Sequence, residues 1–189
     1  MAESLTNRRV VFLVANEGVE QVELTEPWQA VIQAGGQPVL AAPRPGEVQA
    51  FHHLDKADRF PVDVTTSQLS MDDYVGVVLP GGVANPDQLR LAEAAVRFVR
   101  QWCHAGSPLA AICHGPWTLV EADVVRGRTL TSWPSLRTDI RNAGGTWVDR
   151  ELQVCTNGPG LLITSRKPAD LPAFNAALVD AFAGAPIQV

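Results

Sequence analysis

Apolar residues follow two rhythms along this chain. Short continuous runs at Arg9 to Asn16 (RVVFLVAN), Gln37 to Ala42, Val75 to Leu79 and Pro108 to Cys113 are too apolar for strands with one wet face, and predict strands covered on both sides. Between the third and fourth runs, Asp87 to His104 carries Leu89, Ala92, Val96, Val99 and Cys103 at amphipathic-helix spacing. Ala95 and Trp102 widen that stripe and Gly106 closes the helix. An earlier helix is expected to begin near Thr25, with Pro27 in its first turn, and to end at Gly35-Gly36. Pro43 to Phe60 has no clear period and reads as a loop with room for a short hairpin. Past residue 145 the pattern changes. Thr146 to Asp149, Leu152 to Thr156 and Leu161 to Thr164 read as strands of an antiparallel extension, turned at Asn157-Gly158-Pro159-Gly160. A last helix from about Pro168 to Phe182 would bury Leu171, Phe174, Leu178 and Phe182. Strands and helices that alternate through the first two-thirds predict an α/β fold with a mostly parallel central sheet.

Composition narrows the class. The 189 residues suit one domain spanning 1–189, with an ordered core from about 9 to 184. The longest apolar runs fall well short of the ~20 residues of a membrane span. The N-terminal stretch to Arg9 leads into a strand without the apolar region of a signal peptide, so a cytoplasmic location is expected. A net charge of -5, with 15 scattered Lys and Arg, argues against a nucleic-acid partner and leaves a small molecule or a protein as substrate. The three cysteines, Cys103, Cys113 and Cys155, show no metal-like spacing and read as free thiols. His52 and His53 would project to opposite faces of a strand with no carboxylate cluster nearby, so they read as surface residues. No metal or cofactor is expected.

In an open α/β sheet, ligands collect at the carboxyl ends of the strands. Three segments fall there: Asn16 to Glu23, Pro80-Gly81-Gly82, and Cys113-His114-Gly115-Pro116. Cys113 would end a buried strand in a sharp turn at the positive end of the next helix, which favours a thiolate below the usual pKa of about 8.5. Gly115 allows the tight turn, Pro116 suits the first helical position, and His114 can orient or accept a proton. Gly81 and Gly82 offer unobstructed N–H groups for an oxyanion hole. Glu17, Glu20, Glu23 and Glu26 crowd the first loop and helix start. Spacing alone leaves the plain alternatives open: Cys113 as the last core residue of a strand, His114 as a polar loop residue, and Pro-Gly-Gly as an ordinary turn.

These residues carry a resemblance that covers nearly the whole chain. Ala15-Asn16-Glu17 with Glu20 and Val22-Glu23-Leu24, Val78-Leu79-Pro80-Gly81-Gly82, Ala111 to Pro116, Asn142-Ala143-Gly144 with Trp147-Val148-Asp149, and Ser165-Arg166 with Pro168-Ala169-Asp170-Leu171 follow in family order. The sequence resembles the PfpI intracellular protease and general stress protein family, within the class I glutamine amidotransferase-like superfamily. The resemblance implies a flavodoxin-like sandwich with Cys113 as nucleophile on an elbow, His114 beside it, and Glu23 hydrogen-bonded to the sulfur. It implies an oxyanion hole from the amides of Gly81, Gly82 and His114, and a pocket that includes Glu20. In the hexameric proteases of that family an acid from a neighbouring subunit completes a triad, and Asp87 holds the corresponding position here. That acid is one methylene shorter, and Val83-Ala84-Asn85-Pro86 is one residue longer than its counterpart. Trp133 in Ser132-Trp133-Pro134 replaces a pocket Tyr. Peptidase activity is therefore expected to be weak. Amidotransfer by the usual triad is excluded, because no His follows His114.

Two functions of different class follow. Cys113 either attacks a carbonyl, that of a small dicarbonyl such as methylglyoxal or its protein adducts, or less readily a peptide bond. Alternatively the protein is a redox sensor or stress chaperone whose Cys113 is oxidised, with Glu23 capping the sulfur. In either case a homo-oligomer, dimeric at least, is expected.

Overall fold

β1 (Arg9–Leu13) is apolar and buried after Arg9 because it lies near the middle of a sheet with helices on both faces. The computed structural model describes residues 4–186, so residues 1–3 and 187–189, the ends of the span read above as one domain, lie outside it. After β1 come β2 (Glu17–Glu20), α1 (Gln21–Gln33), β3 (Gln37–Ala42), β4 (Glu47–His52), β5 (Asp55–Pro61) and β6 (Val64–Thr65). The middle of the chain forms β7 (Gly76–Leu79), α2 (Ala84–Leu89), α3 (Glu93–His104), β8 (Leu109–Ile112) and α4 (Pro116–Glu121). The remainder forms β9 (Thr129–Leu130), α5 (Arg137–Asn142), β10 (Thr146–Trp147), β11 (Leu152–Cys155), β12 (Leu162–Ser165) and α6 (Leu171–Ala183).

Seven strands make the central sheet in the order β11-β12-β8-β7-β1-β3-β6. All its pairings are parallel except β11 with β12. Successive side chains of a strand face opposite ways, so β1 feeds two cores. Val11 and Leu13 pack with Val77, Leu79, Leu109 and the α3 residues Phe98 and Trp102. Val10 and Phe12 join Leu24 and Val31 of α1 and Phe174, Leu178 and Phe182 of α6 on the other face. The fold class is thus the expected α/β sandwich around a mostly parallel sheet. Among the described residues no helix is long and apolar enough to cross a membrane.

Several elements differ from their sequence readings. The run from Arg9 leaves strand geometry after Leu13, and Asn16 instead bonds the backbone of Arg44 through both its side-chain atoms. α1 starts at Gln21 rather than near Thr25 and holds Pro27 inside it. Gln21 is anchored there by two hydrogen bonds with Asp58, which begin the helix a turn early. The stretch read as one helix from Asp87 to His104 is two, α2 and α3, broken between Leu89 and Glu93. Residues 43–60 contain a full antiparallel hairpin, β4 with β5, turned at His53 and Leu54. Its outer strand is almost wholly solvated, so it leaves no apolar period to read. Thr146 and Trp147 pair in parallel with β9 as a separate two-stranded ribbon, not as part of the antiparallel extension, which consists of β11 and β12 alone. The last helix begins at Leu171, after a 3-10 turn over Pro168–Asp170.

Candidate active site

The three segments singled out in the sequence meet at the carboxyl edge of the central sheet. Cys113 follows β8 directly and adopts φ 61°, a left-handed conformation uncommon for a side chain with a Cβ. Two backbone bonds hold it there: its N–H donates to Ser165 O at 3.1 Å, and its carbonyl accepts from Trp133 N–H at 2.8 Å. Gly115 N–H returns to Ile112 O at 2.9 Å, closing the elbow, and Pro116 opens α4. The strain fixes the direction of one side chain, as expected where a nucleophile must be presented.

Glu23 lies in the first turn of α1, and no part of it reaches solvent. Its Oε2 accepts Gly81 N–H at 2.9 Å. Its Oε1 has no partner in the described residues other than the Cys113 sulfur, which the carboxyl faces. Burial pushes the Glu23 pKa up to about 8, against the pull of Cys113 and the Gly81 amide, so the carboxyl holds a proton at neutral pH and can donate it to sulfur. Gly81 admits no side chain: a Cβ there would strike Glu23 Oε2 and Cys113 Cβ.

The three amides expected to form an oxyanion hole are not equivalent. The Gly81 N–H is occupied by Glu23, while the N–H groups of Gly82 and His114 point at the Cys113 sulfur. Gly82 adopts φ 82°, and a Cβ there would strike Gly18 O and Glu20 N, so only glycine turns the chain there. The turn is clamped from behind by Asn85, which is wholly buried. Its Oδ1 accepts Ala15 N–H at 2.7 Å, and its Nδ2 donates to Pro80 O and Gly81 O at 3.0 Å each. Sequence reading missed Asn85, because a single Asn with no apolar period around it carries no signal of a three-way clamp.

His114 is buried with Nδ1 3.2 Å from Cys113 Sγ, and its ring lies between Trp133 and Trp117, at centroid distances of 5.9 and 5.5 Å. Its Nε2 is 3.4 Å from the Ser135 hydroxyl. Burial lowers the His114 pKa to about 4, so the ring is a neutral base. The Cys113 thiol is also displaced by burial, and upward, against the sequence expectation of a favoured thiolate. α4 is only six residues long and its dipole is weak, whereas Cys113 is 7% exposed. A charged Glu23 would push the thiol further up. While Glu23 keeps its proton that push is absent, and the Gly82 and His114 amides pull the other way. Thiol and carboxyl titrate as a pair.

Above the sulfur opens a pocket of about 210 Å³ lined by Glu20, His53, Leu54, Val83, Trp133 and Pro168 along with the groups already described. Glu20 Oε2 accepts His53 N–H at 2.9 Å and so holds the β4–β5 turn over one side. His53 is exposed, as a surface histidine should be, and also lines the pocket, in a left-handed turn with φ 57°. Asp87 is not brought to the site within one chain. It is exposed on α2, outside the pocket lining, and makes no hydrogen bond to His114. Glu17 and Glu26 are likewise exposed and do not line the pocket. Cys103 and Cys155 are buried away from it, Cys155 against Thr129 N–H and Asn157 O. Among the described residues no cluster of His, Cys, Asp and Glu could hold a metal ion.

A strained Cys elbow between a Gly-Gly turn and a buried acid, at the edge of a parallel sheet, defines a cysteine-centred α/β protein. The sequence model of the DJ-1/PfpI family matches residues 8–181, and the chain belongs to that family. It is 39% identical over 166 residues to a protein of Pyrococcus horikoshii named a deglycase, covering 88% of this chain and 94% of that one. It is 35% identical to general stress protein 18 of Bacillus subtilis, covering 82% and 87%. The crystal structure of Drosophila melanogaster DJ-1β is similar with a TM-score of 0.81 at 26% identity, over 95% of this chain and 92% of that chain.

Proposed function

We propose that this protein is a Cys113-dependent stress-response enzyme of the deglycase type, acting on small dicarbonyls such as methylglyoxal or on the adducts they leave on proteins. One observation carries the reading: a single thiol faces a proton-bearing carboxyl, a neutral imidazole and two amide N–H groups at the floor of a small pocket. The names of the deglycase and stress-protein relatives support it. About 210 Å³ accommodates a three-carbon dicarbonyl or the adduct on one side chain, so peptide hydrolysis is at most a minor activity.

In this reading the Cys113 proton passes to His114 as the sulfur bonds to the aldehyde carbon. The C=O π pair moves to the oxygen, which takes up the N–H groups of Gly82 and His114 and is then protonated to give a hemithioacetal. Shifting hydrogen from that carbon to its carbonyl neighbour gives a thioester, which water opens to a 2-hydroxy acid and the free thiol. Glu23 is the carboxyl placed to relay that proton, and no outside oxidant or reductant is consumed.

The reading includes a cytoplasmic homo-oligomer, dimeric at least. Leu54, Val83 and Trp133 expose 89%, 57% and 40% of their surface around the pocket, an apolar rim that a second copy would cover. Asp87 of a neighbour enters the mechanism only in that assembly. Turnover of methylglyoxal and of a fluorogenic peptide by wild type and Cys113→Ser tests the proposal. Cys113-dependent loss of methylglyoxal is the expected result, and none on either substrate would overturn it. The redox alternative rests on the same sulfur: peroxide would convert Cys113 to a sulfenic acid with release of water, and a neutral Glu23 would donate to the oxidised group.

A further inference from the structure

The pocket over Cys113 is electrically one-sided. Neither Lys nor Arg is among its lining residues, whereas Glu20 stands in its wall, 8% exposed. Glu20 is bound through one oxygen, Oε2, to His53 N–H. Its charge reaches the interior, since it adds to the upward pressure on the Glu23 proton. The nearby cations do not offset it. Arg166, two residues before the lining Pro168, is committed to Asp149 at 2.7 Å and Asp170 at 2.9 Å. Lys167 is exposed and outside the lining. His53 lines the mouth, and its backbone N–H is already taken by Glu20; the His114 imidazole is buried against Trp133. The rest of the rim, Leu54, Val83, Trp133 and Pro168, is largely apolar and carries no cation to offset Glu20. Because Glu20 is buried in the pocket wall, a second negative charge brought down to Cys113 meets it at reduced dielectric, where like charges repel more than in water.

We infer that Glu20 acts as a charge filter. The site admits uncharged carbonyl compounds and those carried on basic side chains, and turns away carbonyl compounds that bear a carboxylate, such as α-oxo acids. Glu20 is thus a specificity-determining residue for the function proposed above, on which the inference rests through Cys113 as the nucleophile of this pocket. It does not require that any particular substrate be turned over.

Iodoacetamide and iodoacetate form an almost isosteric pair that differ by one negative charge. With either, the S–C bond forms as the C–I bond breaks, iodide leaves and the thiol proton goes to buffer. The rate of Cys113 alkylation is followed by mass spectrometry at pH 7.5 and low salt, and the iodoacetamide-to-iodoacetate ratio in native protein is divided by that of the same cysteine in urea-unfolded protein. A quotient of at least tenfold is expected. Glu20→Gln keeps an acceptor for His53 N–H and should bring the quotient, in which any change in the reactivity of the sulfur itself cancels, to threefold or less. Leu54→Lys, at a residue 89% exposed within one chain, places a cation at the mouth and should lower the quotient without touching Glu20, with light scattering showing that the variant keeps the assembly of wild type. A native quotient near one, or one that neither variant lowers, overturns the filter. A high quotient in a protein that turns over no dicarbonyl would overturn the proposed enzyme activity instead, so the two failures are distinguishable.

Discussion

Cys113 and Cys103 are nearly equal in burial, 7% and 3% exposed, and burial pushes both thiols up, Cys103 to about 11. Their surroundings are otherwise opposite. Cys103 sits on the inner face of α3 in the core with Phe98 and Trp102, where only the charge of Arg128 favours its thiolate. Cys113 stands on a left-handed residue with two amide donors, a neutral imidazole and a protonated carboxyl around its sulfur, and a pocket above it. The contrast teaches that exposure does not select the reactive thiol here. Directed N–H groups and a path for a small reagent do.

The largest expected effect is on that contrast itself. Cys113→Ala should lower dicarbonyl turnover by about 10³-fold or more, because it removes the covalent route. In wild type, brief iodoacetamide treatment followed by mass spectrometry should modify Cys113 well ahead of Cys103 and Cys155. Equal labelling of all three in native protein would break the comparison.

Next comes the acid beside the sulfur. Glu23 holds its proton to about pH 8 in the fold, against an ordinary value of 4.5 in the unfolded chain. Between those values the native state binds the extra proton, so stability is lost as pH rises from 4.5 to 8 and levels off above. Glu23→Gln carries no such penalty. It should match wild type near pH 4.5 and exceed it at pH 8 by on the order of 3–5 kcal/mol. It should also lose turnover, because the amide cannot relay a proton. Thermal unfolding of both proteins at the two pH values decides this, and parallel curves would show that Glu23 is ionised in the fold.

Asn85→Ala should cost about 2–4 kcal/mol, since it strands buried partners at Ala15, Pro80 and Gly81. Because it loosens the turn that carries the Gly82 amide, kcat should fall more than KM rises. Denaturant melts paired with steady-state kinetics separate the two effects, and a loss of stability with unchanged kcat would limit Asn85 to a structural role. The smallest change is expected from Asp87→Asn, an exposed site: within about 0.5 kcal/mol in stability and less than about twofold in turnover. A large activity loss there would show that a neighbouring subunit supplies the acid.

Much of the frame was legible in the chain because continuous apolar runs have few folded solutions. RVVFLVAN at Arg9 to Asn16, the run ending at Cys113, and the stripe through Val96, Val99 and Cys103 all identify buried elements, and the sheet order places their carboxyl ends together. The β4–β5 hairpin was legible only as a loop with room for a short hairpin, because its outer strand buries almost nothing. The break between α2 and α3 escaped because the apolar stripe runs across it in phase, Leu89 and Val96 both being buried on one side of the sheet.

By itself the sequence determined the α/β class, the family motifs and Cys113 at the end of a buried strand, since each depends on local order: apolar period, turn residues and a short conserved-looking spelling around one thiol. Only the tertiary structure decided what surrounds that thiol. Glu23, Gly81, Asn85, His53 and Glu20 reach the site from three separate stretches of chain, and their spacing in sequence carries no distance. The protonation of the site was decided there too. The pull of a helix end can be guessed from Pro116 in the sequence, but the desolvation that outweighs it exists only once Cys113, Glu23 and His114 are buried together.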